Sequence, residues 1–218
     1  MYPVVIITGK AGSGKDTLAS FMAESGGVCI SQADPMKRFA KQVFSFSDQQ
    51  LWGPSECRNA PDPRDAEEFI RLWEQNLVAK MSWLTDVGLG PLNNLTTLDR
   101  WARQHVFGRV GLTPRHVLQT LGSEWGRTVS KSLWIDYAQR MATRLLEEGG
   151  SYDRTIGHIP GPEQPRFVVV TDGRFRNEVL AVKARGGFAI RVDGGGGLTG
   201  AAGSHVSETE QSGIPDSW

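Results

Sequence analysis

The sequence has few of the features that would mark a secreted, metal-binding or membrane protein. Of its 218 residues only Cys29 and Cys57 are cysteines, and neither has a metal-ligand companion at suitable spacing. So few thiols are typical of a protein in a reducing cytoplasm. No apolar run approaches the roughly 18 residues of a membrane-spanning helix, and the first residues lack the pattern of a signal peptide. We therefore expect a cytoplasmic protein with no membrane segment.

The sequence also lacks an excess of charge of either sign, because 24 basic residues balance 24 acidic ones. This balance argues against direct binding to nucleic acid by bulk electrostatic attraction. The distribution is uneven, since no lysine or arginine follows Arg191, whereas four of the acidic residues do. Residues 1–191 therefore carry 24 basic against 20 acidic side chains, which is about +4. The acidic C-terminal segment cannot supply cations to a phosphate site.

Short apolar strands alternate with helical patterns along much of the chain. Strands are predicted at 4–8, 28–31, 167–171 and 190–192, with helices between them. This alternation predicts an α/β fold with a doubly wound parallel sheet of four to five strands flanked by helices. From roughly 54 to 110 the alternation is lost, and we interpret that region as a helical insertion within a single domain spanning 1–218. We interpret roughly 193–218 as a lid.

A glycine-rich loop connects the first predicted strand to the first helix. It matches the phosphate-binding pattern G-x-x-x-x-G-K in the required strand-loop-helix context, with the residues Gly9, Lys10, Ala11, Gly12, Ser13, Gly14 and Lys15. Glycines allow successive backbone N–H groups to point at one anion, and the helix N-terminus adds partial positive charge. Lys15 would reach the β- and γ-phosphates of a nucleotide. The alternative is a tight turn with no ligand.

The residue after the loop lysine is usually Ser or Thr, which binds Mg²⁺, but here it is Asp16, followed by Thr17. Either Thr17 makes the phosphate or metal contact, or Asp16 holds the ion through water. Asp172 ends the third predicted strand, where a carboxylate commonly orients Mg²⁺. The alternative is that Asp172 accepts hydrogen bonds from turn amides. We therefore predict Asp16, Thr17 and Asp172 as metal-site residues.

Phosphoryl transfer also needs cations that neutralise the developing charge. The candidates are Arg115, Arg127, Lys131, Arg174 and Arg176. Guanidinium groups match the geometry of phosphate, although Arg174 and Arg176 could instead form salt bridges, for instance with Glu178.

One face of the helix predicted after Thr113 is unusual, because it carries Arg115, Gln119, Gly122 and Gly126. Glycine costs about 1 kcal/mol relative to alanine inside a helix. Two glycines on one face therefore suggest that something approaches closely, unless Gly126 merely ends the helix.

In a second helix, Asp34 before Pro35 is a predicted N-cap.

Five sequence blocks together resemble a known family. They are "GKAGSGKDTLA", "SQADPMKRFAKQVF", "TPRHVLQTLGSEWGR", "VVVTDGRFRNEV" and "SHVSE". They occur in the order seen in deoxynucleoside monophosphate kinases of tailed bacteriophages, and they extend over nearly the whole chain while covering under half of it. The resemblance implies a P-loop kinase fold. Nothing in it corresponds to the segment from about 54 to 110.

The resemblance implies an ATP-dependent phosphotransferase whose acceptor is itself a phosphate group. Such an enzyme moves the γ-phosphate of ATP to a deoxynucleoside 5′-monophosphate with Mg²⁺, and so supplies deoxynucleotides for phage DNA synthesis. The family is usually homodimeric and works in the cytoplasm of the infected host cell.

The resemblance also implies roles for residues at matching positions. The loop through Lys15 would hold the ATP phosphates, and Asp34 and Lys37 would lie beside the acceptor. Arg115, Gln119 and Arg127 would contact the monophosphate or its base, and Asp172, Arg174 and Asn177 would border the catalytic centre. Lys15, Arg127, Asp172 and Arg174 are the predicted catalytic residues.

The chain departs from the family at its C-terminal end. Asp193 and Gly194 stand where the family often has an arginine, and the closing strand that normally follows the block containing His205 is here either absent or paired differently. Closely related alternatives are kinases of the dephospho-CoA or phosphomevalonate type, which share the loop. A nucleotide-dependent switch is a further alternative, but the N-K-x-D motif by which GTPases read guanine is lacking.

Overall fold

The computed structural model describes residues 3–10 and 12–194. The chain forms two compact units. The first, which we call the sheet unit, combines the described residues up to Gln32 with the described residues from Ile135 onward. The second, which we call the helical unit, is Ala33–Trp134.

Within residues 3–10 and 12–194, a parallel sheet of four strands is the framework of the sheet unit. Its strands and helices are β1 (Val4–Thr8), α1 (Lys15–Glu24), β2 (Gly27–Ile30), α10 (Leu133–Glu148), β5 (Phe167–Gly173), α11 (Arg176–Ala184) and β6 (Phe188–Arg191), with a separate antiparallel pair of β3 (Ser151–Asp153) and β4 (Gly157–Ile159). The strand order is β2-β5-β1-β6, and all neighbours run parallel. The predicted α/β class with a parallel sheet flanked by helices is confirmed.

Helices cover both faces of this sheet, because its β-branched side chains point alternately to opposite sides. On one face Ile7 and Val169 are buried against Ala19 of α1. On the other face Ile6 and Val170 line a small cavity together with residues of α10 and α11. A strand whose two faces are both buried reads as a continuous apolar run, which is why the sequence revealed β1 and β5 so clearly.

The carboxyl ends of the parallel strands lie at one edge of the sheet, where α/β proteins bind ligands. The glycine loop follows β1 at this edge. Ser31 and Gln32 follow β2, and Asp172 is the penultimate residue of β5. The fold therefore gathers the loop and Asp172 at the same edge of the sheet.

The helical unit consists of helices joined by short loops. They are α2 (Asp34–Phe44), α3 (Asp48–Trp52), α4 (Ser55–Asn59), α5 (Ala66–Gln75), α6 (Leu77–Asp86), α7 (Pro91–His105), α8 (Pro114–Thr120), a π-helical turn (Leu121–Gly126) and α9 (Arg127–Val129). Helices α4 to α7 lie in the predicted insertion at 54–110, and its status as an insertion stays a prediction. Within 3–10 and 12–194, no helix combines the length and apolar character needed to cross a bilayer.

Buried aromatic rings form the centre of the helical unit. Phe39 lies at the middle of this cluster, with its ring centroid 4.5 Å from that of Trp83. Phe44 stacks on Trp73 at 5.8 Å between centroids. Aromatic pairs at these separations add to the free energy gained by burial. These rings are therefore core residues.

Candidate functional site

The glycine loop adopts a backbone conformation that only glycine tolerates at several positions. Gly12 and Gly14 have positive φ angles of 75° and 97°, in the left-handed region that other residues rarely adopt. A Cβ atom on Gly9 would lie 2.4 Å from the carbonyl oxygen of Val192. The three described glycines are therefore required by local geometry. Ala11, the remaining residue of the pattern, lies outside the described residues.

Lys15 begins α1 and reaches back over the loop. Its Nζ donates to the carbonyl oxygen of Gly9 at 2.6 Å and to that of Lys10 at 2.5 Å. These bonds place the positive charge of the ammonium group within the loop, where a phosphate-binding lysine is expected. The N-terminus of α1, with its partial positive charge, begins at the same point.

The hydroxyl of Ser13 gives a test of whether the loop fits a phosphate. Its Oγ is buried and has no hydrogen-bond partner within the described part of the chain. A buried hydroxyl without a partner is unfavourable. A phosphate oxygen bound in the loop would accept a hydrogen bond from Ser13 and from nearby backbone N–H groups. The residues present therefore fit a nucleotide phosphate.

Asp172 accepts hydrogen bonds from Ser31 and Gln32 within the sheet unit. Its Oδ2 accepts from the hydroxyl of Ser31 at 2.7 Å, and its Oδ1 accepts from the backbone N–H of Gln32 at 2.8 Å. These bonds fix the carboxylate in one orientation. Each carboxylate oxygen can accept more than one hydrogen bond or metal contact.

The other predicted metal residues, Asp16 and Thr17, are exposed in the first turn of α1. Among residues 3–10 and 12–194, no group of three or more His, Cys, Asp or Glu side chains could hold a metal ion together. Mg²⁺ is usually bound through one or two carboxylates, water and substrate phosphates. The donors present suit that kind of site and do not form an all-protein cage.

Glu178 holds the turn between β5 and α11. Its Oε2 accepts from the backbone N–H of Arg174 at 2.7 Å and from that of Phe175 at 3.0 Å. The side chain is almost fully buried, and this burial raises its pKa to about 7. The two backbone hydrogen bonds oppose the rise, and the negative charge of Asp172 adds to it. Glu178 was considered from the sequence only as a salt-bridge partner, and its backbone bonds give it a structural role.

The remaining predicted residues of the sheet unit lie around this turn. Arg174 is half-buried, and Arg176 and Asn177 are exposed at the beginning of α11. Among the C-terminal predictions, Asp193 and Gly194 are exposed. The rest of the predicted lid, including His205 and the question of a fifth strand, lies outside the described residues.

In the helical unit, Asp34 and Lys37 lie together on α2. Asp34 is 4% exposed, and its Oδ1 accepts from Nε1 of Trp52 at 3.0 Å. Nζ of Lys37 lies 3.7 Å from the same oxygen and 5.7 Å from the centre of the Trp52 ring. The prediction that Asp34 caps α2 is wrong, because Ala33 is the N-cap and Asp34 is the first helical residue. Its carboxylate is instead compensated by the indole N–H and the lysine.

Arg115, at the start of α8, contacts Ser55, a residue that the sequence analysis did not include in the site. Its Nη2 donates to Oγ of Ser55 at 3.5 Å, and Nη2 of Arg58 donates to the same oxygen at 3.2 Å. Gln119 lies one turn further along α8 and is half-buried. Ser55 and Arg58 belong to α4, and only their i, i+3 spacing on one helix could have drawn attention to them.

The two glycines of the α8 face are explained by the protein's own packing. A Cβ atom on Gly122 would lie 2.9 Å from Sδ of Met36, and one on Gly126 would lie 2.3 Å from the ring of Trp134. The expected close approach therefore comes from side chains of the helical unit. Gly126 does not end the helical backbone, which continues into α9 at Arg127.

The π-helical turn also changes which side chains share the helix face that was predicted to begin at Arg115. One π-helical turn contains more residues than an α-helical turn, so the face that begins at Arg115 does not continue in α-helical register to Arg127. Arg127 is half-buried at the start of α9, and Lys131 is exposed. π-Helical turns are rare and are often found at functional sites.

The chain is similar to a viral protein named as a nucleotide kinase. This relative, from Acanthamoeba polyphaga mimivirus, is named "Putative deoxynucleotide monophosphate kinase". The two proteins are 26% identical over 207 residues, which cover 94% of this chain and 79% of the mimivirus protein. No protein-family model matches the chain.

The similarity to the mimivirus protein is not confined to the glycine loop. Each unit contains more than 100 residues, whereas the alignment covers 94% of this chain. The alignment therefore includes most of both the sheet unit and the helical unit. A loop motif alone would align over a much shorter segment.

Proposed function

We propose that this protein is an ATP-dependent deoxynucleoside monophosphate kinase. It transfers the γ-phosphate of ATP to a deoxynucleoside 5′-monophosphate and releases ADP and the deoxynucleoside diphosphate. The observation that carries the proposal is the loop from Gly9 to Lys15, with its left-handed glycines, its buried Ser13 hydroxyl and its lysine ammonium. The name of the mimivirus relative supports a nucleotide kinase, and the phage-type sequence blocks support the deoxynucleotide acceptor.

ATP would bind to the sheet unit. The backbone N–H groups of the loop, the hydroxyl of Ser13 and the ammonium of Lys15 would contact its phosphates. Asp16, Thr17 and Asp172 are the proposed residues for Mg²⁺, which when bound neutralises charge on the β- and γ-phosphates. Asp172, held by Ser31 and Gln32, would orient the ion directly or through water.

The acceptor would bind to residues of the helical unit. Asp34 and Lys37 would lie beside it, and Arg115, Gln119 and Arg127 would contact its phosphate or base. Catalysis requires little covalent chemistry from the protein, because the transferred group mainly needs alignment and compensation of charge. Arg127, and Arg174 with Asn177 in the sheet unit, are the proposed side chains for that compensation and alignment.

The proposed biological setting follows from the phage-type resemblance. The enzyme would supply deoxynucleotides for viral DNA synthesis in the cytoplasm of an infected cell and would act as a homodimer. It would not bind nucleic acid directly, which agrees with its formal net charge of zero.

The proposal is tested by coupled measurement of ADP release from Mg-ATP. The acceptors are dTMP, dGMP, dCMP, dAMP and, as a non-nucleotide comparison, dephospho-CoA. Turnover with one or more deoxynucleoside monophosphates is the expected result. Turnover with only the non-nucleotide acceptor would contradict the proposal, and saturable ATP binding without any acceptor-dependent turnover would favour a nucleotide-dependent switch.

A further inference from the structure

Two arginine side chains converge on one neutral hydroxyl group in the helical unit. Nη2 of Arg58 lies 3.2 Å and Nη2 of Arg115 lies 3.5 Å from Oγ of Ser55. All three residues are half-buried. Arg58 and Ser55 are on α4, whereas Arg115 is on α8, so residues about 60 positions apart in the chain meet at this oxygen.

The arrangement has the chemical character of an anion site. Two guanidinium groups that donate to one hydroxyl oxygen bring two positive charges to the same small region, which favours an anion there. Arginine presents several N–H donors in a planar fork that matches phosphate oxygens. The Ser55 hydroxyl also retains its own O–H as a donor. Three donors on two helices therefore point to one small region.

The surrounding contacts hold α4 in position. Trp52, three residues before Ser55, is tied to α2 through the hydrogen bond from its Nε1 to Asp34. Gly53 and Pro54 then connect α3 to α4 with extended ψ angles. The start of α4 is therefore fixed relative to α2, where the proposed acceptor residues Asp34 and Lys37 lie.

We propose that Ser55, Arg58 and Arg115 together bind the 5′-phosphate of the acceptor nucleotide. The inference rests on the proposed function and extends it to two residues, Ser55 and Arg58, in a segment that the sequence left without a role. A phosphomonoester dianion suits two arginines and a hydroxyl, because its oxygens accept charge-assisted hydrogen bonds from all three. Arg58 acts as a binding residue and has no part in the chemical step.

Steady-state kinetics of Arg58→Ala tests this assignment. A lost charge-assisted hydrogen bond to phosphate raises the KM for the acceptor by about tenfold or more, while the KM for ATP stays within about twofold of the wild-type value. Ser55→Ala is expected to show a smaller rise of the same kind. Arg71→Ala is the matched control, because Arg71 is an exposed arginine of the helical unit that pairs with Glu68.

A binding measurement separates a phosphate contact from a merely structural role. Calorimetry compares a deoxynucleoside 5′-monophosphate with the same deoxynucleoside lacking the phosphate. The wild type is expected to prefer the monophosphate, and Arg58→Ala is expected to lose most of that preference. A structural defect would weaken both ligands equally and would overturn the assignment. Arg58→Lys keeps the charge without the fork and gives an intermediate preference, which guards against a variant that fails to fold.

The two proposals fail in different ways. If the wild type phosphorylates a monophosphate but Arg58→Ala matches Arg71→Ala in acceptor KM, the subsite is wrong and the proposed function stands. If the wild type turns over no monophosphate, the proposed function fails. The calorimetric comparison then decides the subsite by itself, since equal monophosphate affinity in wild type and Arg58→Ala excludes it and a loss of affinity supports it.

Discussion

Glu178→Gln provides a quantitative test of the turn between β5 and α11. Burial raises the pKa of Glu178 to about 7 in the folded protein, against an ordinary value of 4.5. The ionised form is thus less favourable in the folded than in the unfolded chain. The stability that the group contributes is fully present below pH 4.5 and is lost as the pH rises through 7. Because each pKa unit corresponds to about 1.4 kcal/mol, the loss amounts to about 3 kcal/mol.

Glutamine at position 178 removes the titration but keeps the hydrogen bonds. Both backbone N–H groups, of Arg174 and Phe175, donate to the single oxygen Oε2, and the amide oxygen of glutamine can take its place. The unfolding free energy of Glu178→Gln minus that of the wild type is therefore expected to increase by about 3 kcal/mol as the pH rises from 4.5 to 8. Glu147→Gln, at an exposed glutamate of α10, is the matched control for the Glu→Gln exchange itself.

The assay is urea unfolding at several pH values, followed by far-UV circular dichroism. Tryptophan fluorescence alone would report mainly on the helical unit, since six of the seven tryptophans lie there, whereas Glu178 lies in the sheet unit. The reasoning is refuted if the difference in unfolding free energy between Glu178→Gln and the wild type stays constant from pH 4.5 to 8.

Three further predictions concern the glycine loop, the acceptor residues and the π-helical turn. Lys15→Ala should reduce phosphoryl transfer to background with an unchanged circular dichroism spectrum, and substantial residual turnover would remove Lys15 from its proposed role. Arg115→Ala and Arg127→Ala should each raise the KM for the acceptor more than that for ATP, which equal increases in both constants would contradict. Gly126→Ala should lower the free energy of unfolding by about 1–3 kcal/mol in urea titrations, because the new Cβ overlaps the Trp134 ring; an unchanged midpoint would show that the ring moves aside freely.

The sequence predicted the sheet unit well because its signals are local. A buried parallel strand is a continuous apolar run, so β1 and β5 stood out, and the glycine loop lies directly between β1 and α1. Because Asp172 lies at the end of β5, it lies at the same edge of the sheet as the glycine loop. Each of these inferences needed only neighbouring residues and the geometry of a parallel sheet.

The features that the sequence did not reveal depend on contacts between distant residues. The burial of Glu178 arises from packing around the turn, and its spacing alone suggested a salt bridge. Ser55 and Arg58 gain their interest only because Arg115 reaches the same hydroxyl from another helix. The π-helical turn at Leu121–Gly126 looks like an α-helix in sequence, because the segment carries no local motif that predicts a π-helical register.

Calorimetric titration of the wild-type protein with Mg-ATP, beside Lys15→Ala, tests the central claim most directly. The loop of left-handed glycines, the buried Ser13 hydroxyl and the Lys15 ammonium should give saturable binding of Mg-ATP to the wild type with a stoichiometry near one. Lys15→Ala should bind far more weakly while remaining folded. Absence of binding to the folded wild type, or equal affinity in the two proteins, would contradict the assignment of this loop as the site for the ATP phosphates.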